Sequence, residues 1–283
     1  MPRGMDHDSG FRWLMTAGAN YRLTGSEESK NRLILAANDL AGRFNSAGRF
    51  IRAWNDSGDG SRAGWAIIDC MMNLPLLYTV SDLICDPRFS QIAEAHADTA
   101  ISAFLRPDGS LCHIVEFDPI SGRRLKSHGG QGYAHGSSWT RGQAWGLYGF
   151  TLSYIHAKKP EYLETAVKIA DRFISRIPEN KLIPVDFDQP AEPRYEDSTA
   201  SAIAACGLIE LSKFAGRKYL EAAESLLEAL TENRCRFDCG CDNILEKCTA
   251  AYHDSRHEGA IIYGDYFYTE AVLKLCGKET FLW

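Results

Sequence analysis

No stretch of about 18 consecutive apolar residues occurs, and the opening MPRGMDHDSGF contains no apolar run. Neither a membrane-spanning helix nor a secretory signal is therefore expected. Positive charge is also scarce: 31 Lys and Arg face 37 Asp and Glu, for a net charge of −6, so no global field exists to hold phosphate backbones or anionic membranes. This counts against nucleic acid as a partner but leaves open a small anionic ligand held by a few local arginines. Paired CxxC spacing is missing. The one dense group among nine cysteines is Cys235, Cys239, Cys241 and Cys248, and its spacing does not repeat that of a zinc ribbon. An odd number of cysteines spread through apolar segments favours free thiols and a reducing compartment, hence a cytoplasmic chain with no metal. No long Pro, Gly or Ser run divides the sequence, so residues 1–283 are expected to form a single domain. Strand-like alternation is almost absent.

Helical periodicity is what the sequence does contain. Apolar residues recur at three- and four-residue spacing over 10–22, 27–45, 64–84, 88–105, 137–157, 160–177, 196–214, 217–232 and 264–276. Turn chemistry separates these segments, as at Asn55–Gly60, at Pro107, Asp108 and Gly109, and at Pro178. Ser26 and the Asp86–Pro87 pair supply helix starts. The pattern predicts an all-α fold of antiparallel helical hairpins, either a solenoid or its closed form, the toroid. Two long intervals lack a helical period, from Leu105 to Ser137 and from Arg234 to Tyr263. Loops of that length on a helical scaffold are where sites are usually built.

Four segments mix polar and aromatic residues: HDSGF from His7, IIDCMMNLPLLY from Ile67, HIVEFDP from His113 and QGYAHGSSWTRGQAWGLYGF from Gln131. Asp69, at the polar start of an apolar run, is either a hydrogen-bonded buried acid or a working group. Taken singly, His113 reads as a satisfied histidine, and Trp54, Trp139 and Trp145 read as core aromatics. Arg141 differs, because a guanidinium among Trp139, Gly142, Ala144 and Trp145 requires a carboxylate from the protein or from a ligand.

Together these segments resemble glycoside hydrolase family 88, the unsaturated glucuronyl hydrolases. The likeness includes FIRAW at Phe50, IPVDF at Ile183, EDSTASAI at Glu196 and YGDYFYTEA at Tyr263, in order along nearly the whole chain. The resemblance implies an (α/α)6 toroid whose loops hold a nonreducing-end 4,5-unsaturated uronic acid. With Asp8 so near residue 1 and about nine helices in the pattern, the barrel is expected to lack N-terminal helices.

The implied reaction hydrates a vinyl ether, with an aspartic acid protonating C4 and water adding at C5. The hemiketal then collapses and the leaving sugar departs. By the resemblance, Asp69 is the general acid and then the base for water, assisted by Asp8. Arg141 binds the substrate carboxylate, His113 and Gln131 touch the sugar, Trp54 and Trp145 form apolar walls, and His7 lines the same pocket. No metal or organic cofactor is implied, and the ligand is an unsaturated uronate-containing oligosaccharide. An unsaturated rhamnogalacturonyl hydrolase and a noncatalytic uronate-binding remnant are the alternatives. His135 and Gly136 stand where the family pattern has acidic residues. Ser127, His128 and the segment from His253 to Glu258 are candidates for selecting sulfation. Oligomeric state is not legible.

Overall fold

The computed structural model describes residues 6–55, 62–238, 240–278 and 282–283. Cys239 and residues 56–60 of the expected turn lie outside the described residues. Helix α1 (Ser9–Trp13) runs through a π-helical turn (Leu14–Gly18) into α2 (Ala19–Thr24) and is followed by α3 (Glu27–Ala41). The Ser26 side chain caps α3 by accepting the Ser29 N–H, and Glu27 and Glu28 complement the helix dipole. Two short strands, β1 (Phe44–Asn45) and β2 (Phe50–Ile51), then pair antiparallel.

The apolar run over 64–84 is not one helix. It divides into β3 (Trp65–Ile67), a 3-10 turn (Ile68–Met72) and α4 (Leu74–Ile84). Pro75 sits in the first turn of α4, where its missing N–H leaves no helical bond unmade. The segment ahead of it, Trp65–Ile67, pairs with Ile114–Glu116 of β4 (Ile114–Phe117). An apolar run of this kind is ambiguous by periodicity alone, and pairing across the chain decided it. Strand β5 (Arg124–His128) completes a three-stranded antiparallel sheet, so the irregular interval after Leu105 contains a hairpin.

The remaining helices are α5 (Arg88–Ala103), α6 (Thr140–Ala157), α7 (Pro160–Ser175), α8 (Ser198–Ala215), α9 (Arg217–Asn233) and α10 (Ile262–Leu275). They separate into two kinds. Helices α6 and α8 are buried on nearly every face, as apolar-all-round helices must be. Helix α7 buries one stripe, Tyr162, Thr165, Ala166, Ile169, Ala170 and Phe173, and α9 buries a similar one. Helix α6 packs on α7 and α8, while α8 also holds α9 and α10, giving inner helices backed by outer ones. Among the described residues no helix is long and apolar enough to cross a membrane.

Close approach of α6 to the 3-10 turn fixes the position of Asp69. A Cβ on Gly149 would lie 2.4 Å from the Met71 Cβ and 2.9 Å from its carbonyl carbon. Gly10 serves the same purpose for α1, where a Cβ would lie 2.4 Å from the Asn73 Cα. Gly149→Ala is accordingly expected to lose about 1–3 kcal/mol by overpacking, read as a lower urea midpoint at unchanged m-value.

Candidate active site

A cleft of about 560 Å³, within the usual range for small-molecule sites, opens where α1, the 3-10 turn, α6 and α10 converge. Asp8 and Asp69 both face it, with His7, Trp54, Gln131, Arg141 and Trp145. Seven of the eight residues expected from the sequence are thus brought together, and His113 is not among the lining residues. Sequence reasoning missed the aromatic wall of Phe11, Trp139, Tyr263, Tyr266 and Phe267. Its signal was present in YGDYFYTEA, where positions 263, 266 and 267 share one helical face.

Backbone carbonyls and amides place the two carboxylates. The Ala53 carbonyl accepts the His7 N–H at 3.2 Å, the His7 Nδ1–H at 2.8 Å and an Arg43 Nη2–H at 2.9 Å, which ties HDSGF to FIRAW. His7 Nε2 then lies 3.4 Å from Asp8 Oδ1. Asn73 links the other side, accepting the Phe11 N–H at 2.9 Å and donating to the Asp69 carbonyl at 3.3 Å. Asp69 itself sits in the first turn of the 3-10 segment. Its side chain is 16% exposed, and its Oδ1 is buried with no hydrogen-bond partner.

Burial raises the Asp69 pKa to about 7, and the neighbouring Asp8 adds to the rise, while Arg141 opposes it. A carboxyl group of that kind is substantially protonated at neutral pH and can donate. His113 stands behind Asp69, with Nε2 at 3.8 Å from Oδ1, too far for a hydrogen bond. Its ring packs on Trp139 at 4.1 Å between centroids. Its Nδ1 faces both the Gly129 carbonyl at 3.2 Å and the Gln131 N–H at 3.1 Å, one for each neutral tautomer. Burial pushes the imidazole pKa down to about 3, so it brings no positive charge to Asp69. His113 thus lies outside the lining residues and borders the Asp69 and Gln131 segments.

Arg141 lines the cleft but already has a carboxylate. Its Nη1 donates to Asp197 Oδ2 at 2.5 Å and to the Thr249 carbonyl at 2.7 Å, and its Nη2 donates to the Ala250 carbonyl at 2.5 Å. Asp197 also caps α8 through the Thr199 N–H at 3.2 Å. Gln131 joins the same loop, its Nε2 donating to the Ala250 carbonyl at 2.8 Å. Asp186 organises the preceding loop by accepting from Tyr133, Ser137, Ser138 and Asp188. His135 and Gly136, in that loop, are exposed and do not line the cleft.

Among the described residues, the one group able to converge on a metal is Asp6, His7 and Asp8, and Asp6 already binds Arg12 at 3.0 Å. Cys235, Cys241 and Cys248 join no such group.

No protein-family model matches the chain. An unsaturated glucuronyl hydrolase of Bacillus sp. (strain GL1) is 35% identical over 288 residues, covering 98% of this chain and 76% of the relative. This chain belongs to the unsaturated glucuronyl hydrolases, glycoside hydrolase family 88. The crystal structure of the Bacillus hydrolase superimposes with a TM-score of 0.91, over 95% of this chain and 74% of that one. An unsaturated chondroitin disaccharide hydrolase of Streptococcus agalactiae serotype III (strain NEM316) is 31% identical over 288 residues, covering 98% of this chain and 72% of the relative. A solved unsaturated glucuronyl hydrolase variant from Streptococcus agalactiae, complexed with dGlcA-GalNAc6S, is 28% identical with a TM-score of 0.82, over 98% of this chain and 70% of that one. The inner and outer helices of this family member are accordingly those of the (α/α)6 toroid, and the chain spans about three quarters of the relatives' length.

Two measurements test the electrostatics. In a carbon-13 carboxyl NMR titration, Asp69 should titrate near pH 7, and Asp8→Asn should lower that midpoint by removing a like charge. A midpoint near 4 would contradict the site described here. The folded state binds this proton more tightly than the unfolded chain does, since the ordinary value is 3.8. The Asp69 contribution to stability therefore declines as pH rises from about 4 through 7, and Asp69→Asn should be more stable than the parent above pH 7. Separately, Asp197→Asn retains a capping oxygen but leaves Arg141 buried without its counter-ion. Urea unfolding should register a loss of about 3–5 kcal/mol.

Proposed function

We propose that this hydrolase removes a nonreducing-end 4,5-unsaturated uronic acid from lyase-generated oligosaccharides by hydrating its vinyl ether. The observation that carries the assignment of roles is the buried carboxyl of Asp69, its pKa raised to about 7, beside Asp8 in an aromatic-walled cleft. Protonating carbon requires an acid whose pKa lies near the working pH, and burial supplies that condition at Asp69.

Asp69 gives its proton to C4, and positive charge develops at C5, shared with the ring oxygen. Asp69, now a carboxylate, takes a proton from water as the water oxygen bonds to C5. The resulting hemiketal opens by breaking the bond from C5 to the ring oxygen, leaving a ketone at C5. The freed hydroxyl at C1 then forms an aldehyde as the leaving sugar departs with its oxygen. The glycosidic bond is never attacked by a carboxylate, so the spacing rules for inverting and retaining glycosidases do not govern this pair.

Asp8 assists as a neighbouring carboxylate, its charge favouring the protonated form of Asp69 before transfer. Arg141, held by Asp197, supplies positive potential to the uronate rather than a free fork of donors. Trp54 and Trp145 shape the cleft around the sugar ring, and His7 and Gln131 offer polar contacts on its wall. The substrate class proposed is an unsaturated glycosaminoglycan-type disaccharide, a reading supported by the ligand of the streptococcal relative.

Incubation with such a disaccharide should remove the ultraviolet absorbance of the conjugated double bond. Asp69→Asn, similar in size but unable to donate the proton, should lower kcat by about 10²–10⁴ while calorimetric affinity persists. Undiminished turnover in Asp69→Asn would reject the assigned role.

A further inference from the structure

Arg62 stands apart from the other guanidinium groups around the cleft. Arg12 is bound to Asp6 and Arg141 to Asp197. Elsewhere Arg88, Arg172, Arg176 and Arg234 each hold a carboxylate, while Arg22, Arg123, Arg194 and Arg256, which do not line the cleft, hold none among the described residues. Among the described residues no carboxylate pairs with Arg62, which is exposed.

Arg62 is nonetheless held in place. Its guanidinium lies 5.8 Å from the Trp54 ring centroid and 5.6 Å from that of Trp65. The two indoles meet edge to face at 6.1 Å, and Trp65 stacks on His128 at 4.2 Å. His128 is fixed in turn by Glu116 at 2.8 Å. A guanidinium stacked on aromatic faces keeps its in-plane N–H groups free while losing much of the disorder of an exposed side chain. A pre-organised guanidinium with no carboxylate partner among the described residues is suited to bind an oxyanion.

Its position relative to the chemistry follows from one chain of contacts. Trp54 lines the cleft and meets His7 edge to face at 5.9 Å, and His7 touches Asp8. Arg62 is exposed and packs on Trp54, a lining residue, without itself lining the cleft. On the function proposed above, a uronate with C4 at Asp69 would direct its leaving sugar past Trp54 toward Arg62.

The geometry points to Arg62 as a specificity-determining residue that binds an oxyanion substituent, sulfate ester or carboxylate, on the leaving sugar. The inference rests on the function proposed above. It assigns selectivity to the face formed by Trp54, Trp65 and Arg62, apart from the segment from His253 to Glu258.

The test compares three unsaturated disaccharides whose leaving sugar is neutral, sulfated or a uronate, with the parent, Arg62→Ala and Arg62→Lys. In the parent, the ratio of kcat/KM for an anionic leaving sugar to that for the neutral one should exceed the ratio in Arg62→Ala about tenfold, through KM. Arg62→Lys should fall between them, retaining charge without the planar fork. Whichever of the sulfated and uronate substrates shows the drop identifies the oxyanion. A ratio unchanged in Arg62→Ala for both overturns the inference. If the parent turns over none of the three, the proposed function fails instead, and Arg62 is judged by calorimetry with the sulfated disaccharide. Weaker binding by Arg62→Ala upholds the subsite, and equal or absent binding in both proteins overturns it.

Discussion

The ion pair between Arg141 and Asp197 is the constraint on which the site depends. A guanidinium and a carboxylate buried together carry a desolvation penalty of several kcal/mol each, offset only by good geometry and further hydrogen bonds. Both conditions are met here, since Asp197 also accepts the Thr199 N–H while Arg141 also donates to the Thr249 and Ala250 carbonyls. One interaction thereby joins the start of α6, the start of α8 and the loop that receives Gln131. Its electrostatic effect matters equally. An unneutralised arginine beside Asp69 would favour the carboxylate, whereas a cation whose charge is matched by Asp197 opposes the rise in the Asp69 pKa without overcoming it.

The chemistry of Asp69 then follows from what surrounds it. Burial and the negative charge of Asp8 raise its pKa to about 7, and the neutral His113 brings no cation to counter them. Aromatic rings on α1, α6 and α10 contribute by excluding water, with Trp145 set against Phe11 at 5.2 Å and Phe267 at 5.3 Å. Such a site trades stability for function, because an acid held near neutrality is a group the folded state would prefer to leave uncharged.

Much of this was legible in the order of residues. Periodicity located the helices, and the distinction between apolar-all-round α6 and α8 and striped α7 and α9 separates inner from outer wall. Strand β3 was hidden, because Trp65–Ile67 continues the apolar pattern of α4 and only its pairing with β4 reveals it. Asp8 and Asp69 were legible through the family resemblance, and Arg141 was legible as a cation needing a carboxylate. That the carboxylate is Asp197, 56 positions away, was not, since a partner at that separation is set by tertiary packing. His113 was legible as a satisfied histidine, with a sugar contact implied only by the family resemblance, and its place behind Asp69 depends on how β4 meets the loop at Gln131.

The bond from Gln131 to the Ala250 carbonyl spans 119 positions, and that from Tyr148 to Glu270 spans 122. Contacts so distant along the chain raise the contact order, the feature that slows folding. Asp8, Asp69 and Tyr263 come from three widely separated parts of the sequence, so the cleft is built almost wholly from nonlocal contacts. The cleft is complete only where α1, the 3-10 turn and α10 have all met, so a loss of packing at any one of them dismantles it.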